Sequence, residues 1–70
     1  MADNADGLAA FVAGLPDGQR HNGFFWAIST AVEDGLPAAE VAKVTKAALD
    51  VGLDREYVER TTAQVRKGQE

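Results

Sequence analysis

The chain has 70 residues and a net charge of -4, with 11 carboxylates against 7 lysines and arginines, enough for one small domain with a modest core. The absence of cysteine excludes disulfides, a thiolate nucleophile and sulfur-ligated zinc, and a single histidine leaves a transition-metal site short of ligands. The acidic balance works against attraction to a phosphate backbone from a distance, and it is uneven: residues 1–34 set five carboxylates against Arg20 alone, whereas residues 35–70 carry six charges of each sign.

Taken in chain order, the apolar spacing predicts four helices and no strand. The first covers about residues 5–14, where Leu8, Phe11, Val12 and Leu15 recur at intervals of three and four and make one apolar stripe. Asp3, Asn4 and Asp6 are candidate caps or first-turn anions, and Gly14 and Pro16 stop the helix. The second begins near Asn22, expected as its N-cap. Phe25, Ile28 and Val32 share one face, with Phe24, Ala27 and Ala31 beside them. Gly35 supplies a left-handed terminus, Leu36 packs back across it, and Pro37 suits the first turn of the next helix.

The third helix spans roughly residues 37–51, burying Val41, Val44, Ala48 and Leu49 and turning Glu40, Lys43, Lys46 and Asp50 to water. Gly52 and Leu53 repeat the junction, and Asp54 caps a fourth helix over about residues 55–66. That last helix buries Val58, Thr61 or Thr62, and Val65, with Tyr57 at the margin. The expected architecture is therefore all-α: a compact orthogonal bundle of three to four short helices joined by tight Gly-Leu turns. Residues 1–6 read as a flexible tail, 7–67 as the single helical domain and 68–70 as a frayed C-terminus. The longest apolar candidate, residues 24–32, is too short for a membrane span and is interrupted by Ser29 and Thr30. Asp3 and Asp6, with no lysine or arginine near them, argue against a secretory signal. A cytoplasmic chain with no membrane partner is expected.

The densest information lies at Leu15-Pro16-Asp17-Gly18-Gln19-Arg20-His21-Asn22, which runs straight into Gly23-Phe24-Phe25-Trp26. Arg20 can hold a phosphate with the free N–H groups of the second helix, or pair with Asp17, Glu33 or Asp34, or stack on Trp26. His21 has no serine nucleophile beside it and reads as a surface or capping group, so no catalytic role and no cofactor is expected. Trp26 either closes the edge of the core or stands exposed for a partner or a base. Lys43, Lys46, Arg66 and Lys67 form a weak basic patch if the last two helices present them on one side. Glu56 with Arg60 and Arg55 with Glu59 form pairs four residues apart on the solvated face of the fourth helix.

The segment from Leu15 onward resembles the small helical accessory domain found C-terminal to the catalytic part of phage- and plasmid-type DNA primases and primase-polymerases. The resemblance rests on Pro16, Asp17, Gly18, Arg20 and Asn22, with Phe24, Phe25 and Ala27 behind them, then Gly35-Leu36, residues 41–49 and Leu53-Asp54. His21 stands where that family usually has an asparagine. The resemblance covers about three quarters of the chain. It implies a noncatalytic replication module that contacts single-stranded or primer-template DNA weakly, or an adjoining primase or helicase domain, through Arg20 and Asn22, with His21 in register between them. The competing expectation is a small acidic protein-interaction module that ignores nucleic acid, its acidic face drawn from Asp3, Asp6, Asp17, Glu33 and Asp34.

Overall fold

A computed structural model describes residues 4–68 of the chain as a compact all-α bundle of four short helices, with no strand among the described residues. The helices are α1 (Asn4–Ala13), α2 (Arg20–Glu33), α3 (Ala38–Asp50) and α4 (Arg55–Gly68). One turn of 3-10 helix, Asp17–Gln19, precedes α2. The radius of gyration is 10.9 Å, against about 11 Å for a compact domain of this length. Principal extents of 30 × 29 × 16 Å describe a slab about two helices thick. None of the helices is long and apolar enough to cross a membrane.

The two Gly-Leu junctions form as expected, and the backbone shows why. Gly35 and Gly52 sit at φ of 74° and 100°, a region where a Cβ meets the neighbouring carbonyl. At the first junction the Leu36 N–H donates to the Ala31 carbonyl and the Gly35 N–H to that of Val32. At the second, Leu53 donates to Ala48 and Gly52 to Leu49. Each junction is thus a Schellman motif that satisfies the last carbonyls of its helix and folds a leucine back over the end. Pro37 takes the N-cap position of α3 rather than its first turn, and its carbonyl accepts from the Glu40 and Val41 N–H groups. The Asp54 carboxylate accepts from the Tyr57 N–H at 3.2 Å and caps α4 as expected.

The core is built from Leu8 and Val12 of α1, Phe24, Ala27, Ile28 and Ala31 of α2, Val41, Val44 and Ala48 of α3, Leu53, and Val58 of α4. Two expected faces are rotated. In α2 the buried stripe is Phe24, Ala27, Ile28 and Ala31, so Phe25 points outward and Val32 is only half-buried. In α1 the stripe is Ala5, Leu8 and Val12, so Phe11 leaves the core. Phe24, Ala27, Ile28 and Ala31 join one core cluster with Val12 and Val44, and a helix that buries this stripe turns Phe25, about 100° further round, outward. Leu15 fills the space beside Gly23, where an added Cβ would lie only 2.3 Å from its Cδ1. In α3, Ala47 replaces Leu49 on the buried face, and Leu49 is half-buried.

The chain ends also differ from expectation. Helix α1 begins at Asn4 and Ala5 is fully buried, so residues 4–6 belong to the bundle rather than to a tail. Helix α4 continues to Gly68. Asp3, Gln69 and Glu70, named in the expected tail, acidic face and frayed end, lie outside the described residues.

Candidate functional site

The N-terminus of α2 was the expected contact point, and its geometry is largely self-satisfied. The 3-10 turn feeds directly into the helix, with the Gln19 N–H bonded to the Pro16 carbonyl at 2.9 Å. Gln19 therefore holds the N-cap position without a side-chain bond, and Arg20, His21 and Asn22 form the first turn. Asn22 as N-cap is corrected: the preceding turn sets the N-cap three residues earlier, at Gln19. Arg20 closes back on Asp17 with an N–O distance of 2.6 Å, its side chain one-third exposed. This is one of the local pairings the sequence allowed, and it occupies the guanidinium with a carboxylate. The Arg20 Nε is buried without a partner. His21 is exposed, its ring set edge-on to Tyr57 at 4.6 Å, and its carbonyl accepts from the Tyr57 hydroxyl at 3.3 Å. Tyr57 also meets Phe24, at 6.2 Å. His21 and Tyr57 thus pin the start of α2 to α4.

The lysines of α3 are held in local ion pairs. Lys43 reaches across to Asp6 of α1 at 3.4 Å and pairs with Glu40 at 2.9 Å, while Lys46 pairs with Asp50 at 3.4 Å. Arg66 lines the groove on the other flank of α3, facing α4's neighbours Ala38 and Thr45. Lys67 is exposed in the last turn of α4. The expected pairs on α4 form, Arg60 with Glu56 at 3.0 Å and Arg55 with Glu59 at 3.6 Å. No group of three or more metal-ligating side chains occurs among the described residues.

What the structure presents instead is an aromatic surface. Phe11, Phe25 and Trp26 are 45%, 53% and 54% exposed, far more than large apolar side chains normally are in a small domain. Phe11 and Trp26 support one another, with ring centroids 5.2 Å apart and planes at 63°, an edge-to-face contact that holds both rings in place. Trp26 is exposed rather than closing the edge of the core. Asn22, Phe25, Trp26, Ser29 and Glu33 follow helical spacing along the outward side of α2. Phe25, Ser29 and Glu33 also line a shallow groove against Gln64 and Val65 of α4.

This face runs into concentrated negative charge. The last turn of α2 has no basic residue and ends in Glu33 and Asp34, while the first turn has no acidic residue and starts with Arg20. Both ends oppose the helix dipole. The expected acidic face is otherwise dispersed, since Asp6 is held by Lys43 and Asp17 by Arg20. Phe11 and Phe25 were assigned to the core from sequence; in the fold Val12 and Phe24, their neighbours in the chain, take the buried positions instead.

No family model matches the chain, and neither a curated protein nor a solved structure matches it. The expectation of a DNA-replication, primase-type, DNA-binding protein is corrected on that finding. The residues that carried it have local work in the bundle: Arg20 pairs with Asp17 and Asn22 sits within the first turn of α2.

Proposed function

We propose that this chain is a small protein-interaction module whose docking surface is the outward face of α2, with Phe11 added from α1, and whose partner presents a basic, partly apolar surface. The observation that carries the reading is the exposure of Phe11, Phe25 and Trp26, with Phe25 sharing a shallow groove with Glu33 and Asp34 following at the end of the same helix. Rigid aromatic side chains give large contact area at low entropic cost and dominate the energetics of protein interfaces. The unfavourable charges at the C-terminal end of α2 would become favourable against a partner's lysines or arginines. Two copies of the chain meeting through this face would oppose like charges, so self-association is disfavoured. The reading assumes a cytoplasmic setting.

The test is an amide NMR titration of the labelled chain with a synthetic amphipathic helical peptide carrying leucines on one face and lysines on its flanks. Shifts centred on Phe11, Phe25, Trp26 and Glu33, with a change in Trp26 fluorescence, support the reading. A peptide that leaves these residues unmoved at millimolar concentration sinks it. A short single-stranded DNA should cause no shifts in the same titration; salt-sensitive shifts at Arg20, His21 and Asn22 would instead identify a nucleic-acid contact.

A further inference from the structure

A second surface lies on the other flank of α4, between that helix and α3. It is a groove of about 360 Å³ whose walls include Val41, Thr45 and Leu49 of α3 and Val58 and Thr62 of α4. The Thr45 hydroxyl donates to the Ala42 carbonyl at 2.9 Å and the Thr62 hydroxyl to the Val58 carbonyl at 2.8 Å. Both polar groups are thereby bonded within their own helices, and the floor of the groove is apolar.

The ends of the groove are charged. Arg55 opens α4 and Arg66 stands in its last turn, and both line the groove. Eleven residues separate them, which is three turns of helix and about 16 Å along the axis at 1.5 Å per residue. Arg66 has no ion pair among the described residues, and Arg55 has only the long contact to exposed Glu59, at 3.6 Å. In a chain of net charge -4, the lining of this groove carries two cations, Arg55 and Arg66, against one carboxylate, Glu59, which sits in the loose pair with Arg55.

We infer that the α3–α4 groove receives an acidic amphipathic helix of a partner protein, about three turns long, with apolar side chains along the channel and a carboxylate at each end to meet Arg55 and Arg66. The mode is that of an amphipathic helix laid in a hydrophobic groove, its register set by the end charges. Such a site is independent of the aromatic face of α2 and calls for a partner of opposite charge.

The experiment uses the whole labelled chain and two synthetic helical peptides identical except at their ends. Both carry leucines on one face; one has glutamates eleven residues apart, the other lysines at the same positions. The glutamate peptide should shift amides of α3 and α4 that line the groove and leave Phe25 and Trp26 unmoved. Arg66→Glu should weaken it about two- to fivefold, the range for an exposed ion pair, and should tighten the lysine peptide on the same variant. Ala42→Trp, which fills the groove from an exposed position, should abolish the groove shifts caused by the glutamate peptide and leave lysine-peptide shifts on α2 unchanged. Absence of shifts at millimolar glutamate peptide, equal shifts of the groove amides by the two peptides, or glutamate-peptide shifts confined to α2 would each overturn the inference. Because the basic peptide probes α2 and the acidic one probes the groove, failure of either proposal leaves the other standing.

Discussion

Phe24 and Phe25 are adjacent in sequence and opposite in role, which makes them a sharp test of where the core lies. Phe24 is fully buried and Phe25 is 53% exposed. Phe24→Ala should cost about 3–5 kcal/mol through lost transfer energy and a cavity, enough to unfold much of a domain this small. Phe25→Ser should change stability by about 0.5 kcal/mol or less, as surface substitutions do. Urea unfolding of the two variants checks both values, and similar losses would place the face of α2 elsewhere. At the junctions, Gly35→Ala and Gly52→Ala should each cost about 1–2 kcal/mol, because a Cβ is strained at positive φ even though open space surrounds both positions. Asp54→Ala removes the acceptor of the Tyr57 N–H and should cost about 1 kcal/mol.

Helix α2 is the element in which local stability and the proposed role pull in opposite directions. Glu33 and Asp34 stand at its negative end with no basic residue in the last turn. Replacing both with lysine should raise stability by about 0.3–1 kcal/mol per charge at low salt. The same double variant should lose affinity for a basic peptide. Thermal melts at low and high salt, run beside the peptide titration, read the two effects separately; a variant that is both less stable and unimpaired in binding would contradict the assignment. Helix α4 differs at its C-terminal end: Arg66 and Lys67 stand in its last turn and agree with the dipole, while Glu56 in its first turn is set against Arg55. Its pairs Arg60–Glu56 and Arg55–Glu59 lie on the exposed side and add only a few tenths of a kcal/mol each.

For the molecule as a whole, the proposed interface joins two helices through the Phe11–Trp26 contact. Trp26→Ala should cost 2 kcal/mol or more in binding energy, roughly a 30-fold loss of affinity, if this ring is the anchor of the surface. Binding should also weaken as salt rises, because the partner's cations meet exposed carboxylates. Calorimetry at two salt concentrations measures both; an affinity unchanged by Trp26→Ala would move the interface off this face. Local grammar was legible from the residues themselves. Gly-Leu pairs specified both Schellman junctions, Asp54 specified its cap, and periodicity specified four helices, since each depends on interactions within a few residues of chain. The rotation of each helix was not legible, because three consecutive aromatic residues offer more than one apolar stripe at the same period. Only tertiary packing decided it: Phe24, Ala27, Ile28 and Ala31 join the core cluster with residues of the other helices, which sends Phe25 and Trp26 outward. The same limit applied to charge. Sequence supplied the number of carboxylates and cations, but the fold decided that Arg20 would close on Asp17, that Lys43 would reach Asp6, and that Glu33 would remain beside the aromatic face, because these pairings depend on distances between elements.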